Sequence, residues 1–492
     1  MKLHLETPTK LYIEDVDSVR LNELQSCLTY RDKKIQYAIV KLKSSRYIHQ
    51  YGEEAYLKYL NELKAKEKVC LLNKDPDGRY WVLSGMRNYL EIKYNLKATV
   101  GFIYPEARNL PWSNVPTRTP YPYQQKAKEN LLEAFHARVE MATGVGKSFC
   151  LMNLVKDLGL KTIIMAPSTS IAEQLYIEFL AHFGKKYVGA YFEGKKDFKK
   201  LFVIGNGQSL TRVEPDSPAW DALSQAQVFV ADESHQCPAA TMAKVCLELA
   251  KNASYRFFFS ATQLRNDGLD LLLDAITGPT VYKMSVREGV DQNYLAKPVF
   301  KMVRTHSPLT VKGDDPSKLT REHLYYNPVV LRQAAAIINH SVQTLGHQVL
   351  VLIDEVKQFT MLLPYLKHKV QFAHGVLKDN KDMVPAEHQE SDPNALVAAF
   401  NANEFPILVG TSCIATGTDI RSVKTMVYLR GGKSEIEVTQ GAGRCTRRVP
   451  GKTACTIVDF DVTNVDVLHR HALARKKIYD NIYGPTEVVD WS

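Results

Sequence analysis

The chain has 492 residues, 45% hydrophobic and 24% charged, with 63 lysines and arginines against 53 aspartates and glutamates, a formal charge of +10. That length predicts about three domains, each able to bury a core, and the positive balance suits either a polyanionic partner or a basic enzyme without one. No apolar run approaches the roughly 20 residues that cross a bilayer, and Met1-Lys-Leu-His-Leu-Glu6 lacks the apolar core of a signal peptide, so no membrane association and a cytoplasmic location are expected.

Eight cysteines contain no Cys-x-x-Cys pair, which argues against a zinc site or a disulfide framework and reads as reduced thiols. Residues 1–112 mix short β-rich runs (Lys10–Ile13, Val69–Leu72, Tyr80–Leu83) with helical patterns over Glu53–Lys66 and Ser84–Tyr94. The Asp75-Pro-Asp-Gly78 cluster predicts a hairpin over Val69–Leu83 that feeds the second helix. Basic and aromatic residues interleave in Lys41–Tyr47 and Arg79–Trp81, a pattern that serves to clamp nucleic acid or, equally, as a solvated face over core aromatics. This segment is expected to be an accessory α+β domain.

A proline-rich stretch, Pro111–Pro122, marks the first boundary. Tyr123-Gln-Gln-Lys-Ala127 then opens a helix to about Phe135. Met141-Ala-Thr-Gly-Val-Gly-Lys-Ser148 follows, a glycine-rich turn ahead of an amphipathic helix over Lys147–Leu158. Thr143, Gly144, Val145 and Gly146 can turn backbone N–H groups around a phosphate. Lys147 can reach β/γ oxygens, and the Ser148 hydroxyl can hold Mg²⁺. The helix adds the positive end of its dipole. The full G-x-x-x-x-G-K-[ST] pattern wants Gly at position 141, where this chain has Met.

From there strands and helices alternate. Thr162–Met165, Leu201–Ile204, Val228–Ala231 and Arg256–Phe259 are continuous apolar runs, which indicates a parallel sheet covered on both faces. Asp232 and Glu233 follow one of them directly, at the strand end where α/β folds bind ligands. There Asp232 can hold Mg²⁺, and Glu233 can orient and deprotonate a water. A second alternating region starts near Ala296, with strands at Val299–Met302, Val349–Ile353, Ile407–Gly410, Thr425–Leu429 and Cys455–Asp459. It lacks a phosphate turn but carries Gly417-Thr-Asp419 and Gln440-Gly-Ala-Gly-Arg-Cys-Thr-Arg447. The polar stretch Lys378–Pro393 reads as a loop insertion, and Leu468–Tyr483 as a basic helix.

In order and spacing these stretches resemble the superfamily 2 DExH helicases over residues 118–461. Tyr123-Gln124 looks like the adenine-reading element and Met141–Ser148 like motif I. Ala166-Pro167-Ser168-Thr169 with Gln174-Leu175 resembles motif Ia, and Gly207-Gln208-Ser209-Leu210 the next strand-end motif. Asp232-Glu-Ser-His235 resembles motif II, Ser260-Ala-Thr262 motif III, Ile407–Asp419 motif V, and Gln440–Arg447 motif VI.

The resemblance implies two tandem RecA-like parallel-sheet cores with a small N-terminal domain and a short C-terminal helical tail, bounded as 1–112, 113–292, 293–461 and 462–492. It implies ATP and Mg²⁺ as cofactors. Lys147, Asp232, Glu233, Gln440, Arg444 and Arg447 are the expected catalytic set, and Gly417 and Asp419 join the nucleotide contacts. Pro167, Thr169, Gln208, Ser209, Thr411 and Ser412 are the expected contacts to a nucleic-acid backbone. Because one core would bind the nucleotide and the other supply Arg444 and Arg447, hydrolysis would depend on closure of the two. The flanks resemble bacteriophage UvsW-type helicases, which implies a monomer acting on branched or forked DNA or DNA–RNA hybrids. An RNA helicase and an ATP-gated binding switch remain open as alternatives.

Overall fold

The computed structural model describes residues 1–44, 47–112, 119–261, 269–311, 313–415 and 420–490. These form two compact units, one of residues 1–141 and 148–283, the other of residues 142–147 and 284–492.

The first unit contains two main sheets. The smaller runs in the order Asn73–Lys74, Tyr80–Leu83, Lys10–Glu14, Lys2–Thr7, Thr99–Val100. In Lys2–Thr7 the period-2 pattern turns Leu3 and Leu5 inward, where they pack with Leu11, Ile13, Leu24, Val82 and Leu90. The expected hairpin is shorter than the apolar run suggests. Asn73 pairs with Trp81 and Lys74 with Tyr80 across a turn that Gly78 closes at φ +89°. Lys68–Cys70 leaves this sheet and pairs antiparallel with Thr29–Arg31, because the turn sets register only for the residues next to it. That ribbon carries the helices Lys33–Ser44, Tyr47–Tyr51 and Glu53–Glu67, of which only the last is evident from the sequence pattern. The first and last of these enclose a separate small core of Ile39, Leu42, Leu60 and Leu63.

The larger sheet has the order Lys195–Lys196, Val188–Phe192, Phe202–Asn206, Thr162–Ala166, Val228–Ala231, Tyr255–Ser260, His136–Met141, Thr280–Met284. The six strands from Val188–Phe192 to His136–Met141 pair in parallel. All four of the apolar runs lie among them.

The two sheets are packed into one unit. Leu271, Leu272 and Ala275, from the helix Asp270–Thr277, join the core of the small sheet. At Gly85 the backbone approaches so closely that a Cβ would stand 2.4 Å from the Ala275 carbonyl oxygen. His136 is hydrogen-bonded both to the Ser84 hydroxyl, at 3.2 Å, and to the Ile276 carbonyl, at 2.9 Å. Burial pushes its pKa down to about 3, with Arg256 adding to the effect.

The second unit holds a seven-stranded parallel sheet. Its order is Val370–Ala373, Ile407–Gly410, Val349–Leu352, Thr425–Tyr428, Ala454–Val462, Lys297–Thr305, Glu487–Asp490. Apolar layers cover both faces. Two of these strands escaped the sequence reading: Val370–Ala373 is short, and Glu487–Asp490 is a largely exposed edge.

The stretch Lys378–Pro393 is not a bare loop. It forms two 3-10 turns, Lys378–Met383 and Ala386–His388, and Asp392 caps the helix Pro393–Asn401. Polar groups secure it: Gln389 Nε2 donates to the Val384 carbonyl at 2.9 Å, and the His374 ring bonds the His388 carbonyl at 2.8 Å. Hydrophobic periodicity does not register such bonds. The C-terminal basic helix spans Asp466–Ile482, and the chain beyond it returns to the sheet as Glu487–Asp490.

Candidate nucleotide and nucleic-acid sites

The phosphate turn has the backbone its glycines suggest. Gly144 lies at φ +91° and Gly146 at φ +82°, left-handed conformations that side chains resist. The helix Lys147–Leu158 begins directly behind them. Met141 fits its position because it is the fully buried last residue of the strand His136–Met141 and does not have the positive φ that calls for glycine.

Residues 142–147 belong to the second unit, together with motif VI. Within that unit a Cβ on Gly144 would stand 3.0 Å from Arg447 Cγ, and a Cβ on Gly443 would stand 2.7 Å from Thr143 Cβ. Two glycines therefore allow the turn and the arginine-bearing segment to approach. That segment begins as the helix Glu435–Gly443, capped by Ser434, and contains Gln440. Arg444 is 6% exposed, and Arg447 is half-buried beside Leu295.

In the first unit, Asp232 and Glu233 end the strand Val228–Ala231. Asp232 N–H donates to the Met165 carbonyl at 2.9 Å, continuing the sheet pairing, and Asp232 Oδ1 accepts the Glu233 N–H at 2.9 Å. Glu233 adopts φ +49°, ψ +51°. Its carboxylate Oε2 accepts from the Ser260 hydroxyl at 3.3 Å, and it lies 3.4 Å from His235 Nδ1, which is itself 3.0 Å from Ser260 Oγ. Ser260 and His235 are buried. Motifs II and III thus meet in one polar triangle around Glu233.

Gln124 is 1% exposed, and its side-chain oxygen accepts the Tyr121 N–H at 3.0 Å. That end of the amide caps the helix Pro122–Ala134. Tyr123 is also buried and stacks on Tyr121 at 5.7 Å between centroids.

The expected backbone-contact residues gather at strand ends. Pro167 and Thr169 follow Thr162–Ala166, and Gln208 and Ser209 follow Phe202–Asn206, the neighbouring strand. Asn206, which the sequence reading did not single out, joins them: its Nδ2 donates to Thr169 Oγ1 at 2.7 Å while its Oδ1 accepts the Ser209 N–H at 2.7 Å. An Asn ahead of a short helix is the signal that could have marked it. In the second unit Thr411 follows the buried strand Ile407–Gly410, with Ser412 exposed beside it. Thr262, Gly417, Asp419 and Arg46 lie outside the described residues.

Several cations that could have been assigned to DNA are engaged within the protein. Arg79 pairs with Glu6 at 2.7 Å and Asp77 at 3.0 Å, and Arg87 pairs with Glu91 at 3.0 Å. Arg475 is buried and grips Asp459 with two hydrogen bonds, of 2.7 and 2.9 Å. Burial works against its charge, but the Asp459 carboxylate outweighs it and holds the guanidinium above its usual range. Arg475 fastens the C-terminal helix to the sheet and is removed from any nucleic-acid surface.

The Type III restriction enzyme res-subunit model matches residues 117–265, and the helicase conserved C-terminal domain matches residues 332–449. With the motif geometry above, they place the chain among the superfamily 2 helicases, proteins built on ATP-using motor domains. It is similar to "Probable helicase D10" of Escherichia phage T5, 25% identical over 348 residues that span 69% of this chain and 70% of that protein. Other curated helicases are spanned over about half of their length, 47% and 48%. The chain resembles the crystal structure of T4 UvsW, with 15% identity, 99% of each chain covered and a TM-score of 0.42. Yeast (S. cerevisiae) Dbp5 bound to RNA and ADP BeF3 shares the fold at a TM-score of 0.54, with 15% identity over 76% of this chain and 90% of that one. No helix among the described residues is long and apolar enough to cross a membrane.

Proposed function

We propose that the chain is an ATP-dependent DNA helicase or translocase that unwinds or branch-migrates forks, junctions and R-loops in phage-type replication and recombination. The observation that carries the motor is the close approach of the glycine turn and the Arg447 segment, where a Cβ on Gly144 would stand 3.0 Å from Arg447 Cγ and one on Gly443 2.7 Å from Thr143 Cβ. The similarity to a probable phage helicase supports the setting. Dbp5, an RNA-bound relative in fold alone, keeps an RNA duplex among the substrates to be compared.

The donor set fits a magnesium nucleoside triphosphate. Gly144 and Gly146 hold the positive φ of a phosphate turn, the twelve-residue helix Lys147–Leu158 presents its N-terminus, and the Ser148 hydroxyl and Asp232 carboxylate are oxygen ligands of the type a hard cation takes. In this reading Lys147 neutralises phosphate charge, and Ser148 with Asp232 holds Mg²⁺. Glu233 accepts a proton from the attacking water, while Arg444 and Arg447 offset charge that develops on the γ-phosphoryl. The cation supplies further charge neutralisation when bound. His235 and Ser260 keep the Glu233 carboxylate in place.

ATP turnover with no nucleic acid, linear duplex, four-way junction and RNA duplex tests the assignment, using Lys147→Ala and Arg447→Ala as controls. DNA junctions should stimulate most. Lys147→Ala should abolish turnover but retain DNA binding, and Arg447→Ala should lower kcat about 100-fold or more with little change in KM. Normal kcat with raised KM in Arg447→Ala would show that this side chain only holds ground-state nucleotide.

A further inference from the structure

The helices on the Thr29–Arg31/Lys68–Cys70 ribbon expose an unusual combination of side chains. On Lys33–Ser44 the residues Ile35, Ala38, Ile39 and Leu42 face the small core. Lys33, Tyr37, Val40 and Lys41, spaced i, i+4, i+7 and i+8, share the opposite face. Tyr37 is 69% exposed and Val40 63%.

A solvated helix face has no need of a tyrosine and a valine at such exposure, and clustered exposed apolar groups mark binding surfaces. Charge identifies the occupant. Residues 32–68 contain nine lysines and arginines against five aspartates and glutamates, and on this face two lysines bracket the apolar pair. Tyrosine flanked by lysines fits an unpaired nucleic-acid strand, with bases against the ring and phosphates against the ammonium groups. A closed duplex would offer phosphates but no base faces.

We propose that the outward face of Lys33–Ser44 is a binding platform for single-stranded nucleic acid, stacking a base on Tyr37 and holding flanking phosphates with Lys33 and Lys41. The site lies outside every helicase motif. It rests on and deepens the helicase reading by giving the protein a grip on nucleic acid outside the motor motifs. The ribbon and its separate core let the platform form without altering the parallel sheets.

Binding of the full-length protein, without ATP, to a fluorescent oligothymidylate and to a blunt duplex over a salt series tests this. Tyr37→Ala should weaken single-strand binding about 5- to 150-fold, on the order expected for loss of one stacked base, and leave duplex binding unchanged. Lys33→Ala/Lys41→Ala should make the single-strand salt slope shallower by about 1.4, for two phosphates. Unchanged oligothymidylate affinity and slope in folded variants would overturn the proposal. So would equal losses on both ligands, or a Tyr37→Ala change from dimer to monomer, which would make the face a contact between copies. ATP turnover of the same variants without nucleic acid separates the two readings. If it persists at the wild-type level the motor stands whatever the platform does, whereas a wild-type protein without ATPase activity would remove the helicase reading itself.

Discussion

Glu233 holds a left-handed backbone, φ +49°, which costs a non-glycine residue on the order of 1–3 kcal/mol. The strain is sustained by its surroundings: Asp232 Oδ1 accepts its N–H and Ser260 donates to its carboxylate. Glu233→Gln preserves size and removes the carboxylate proposed to accept the proton. It should bind Mg-ATP yet hydrolyse it about 10²-fold or more slowly, and nucleotide binding beside single-turnover hydrolysis checks this. Loss of binding would mean that Glu233 holds the metal. Arg475 shows the opposite kind of residue. Its sequence context, a basic helix, suggests a DNA contact, but at 2% side-chain exposure against Asp459 it is a packing element. Arg475→Ala leaves the buried Asp459 carboxylate with the Tyr479 hydroxyl and the Phe460 N–H but no cation and should cost ~3–5 kcal/mol, read as a lower urea midpoint, while the salt dependence of DNA binding stays unchanged. The motif residues were legible because their chemistry demands particular side chains at fixed spacing. Arg475 was not, because nothing local to a basic helix shows which cation faces inward.

At the scale of elements, the central buried strands could be read from apolar runs, since burial on both faces leaves a continuous signal. The ribbon Thr29–Arg31/Lys68–Cys70 could not, for its strands are three residues long and their pairing spans the whole helical insert. Nor could the docking of the small sheet on the helix Asp270–Thr277, which depends on Gly85 and His136, residues far apart in sequence. His136 gives that junction a pH dependence. Unfolded, it takes a proton near its ordinary 6.5; folded, only near 3. The stability it provides is therefore complete above pH 6.5 and declines as pH falls toward 3. Urea midpoints at pH 7.5 and 5 should differ less in His136→Asn than in the wild type. An equal pH effect in both proteins would place the titration at other histidines, among them the buried His182 and His323, which burial also depresses.

At the scale of the molecule, the chain joins two motor units and gives the first an accessory sheet that shares its core. The proline-rich stretch reads as a domain boundary. Yet Leu271, Leu272 and Ala275 belong to the accessory core as well as to the motor, so removing residues 1–112 would expose apolar surface and confound a truncation. Point variants on the ribbon helices are the cleaner probe of substrate choice. What distinguishes a branch from a linear duplex is its shape, and shape is recognised through phosphate contacts that set position. No motif from I to VI encodes it. Strand displacement by the purified full-length protein with ATP, on a panel of forks, four-way junctions, R-loops and RNA duplexes with Glu233→Gln as control, tests the function most directly. ATP-dependent displacement of the branched DNA substrates, absent in Glu233→Gln and weak on RNA duplexes, is the result expected. Displacement confined to RNA duplexes, or ATP hydrolysis without displacement of any strand, would contradict it.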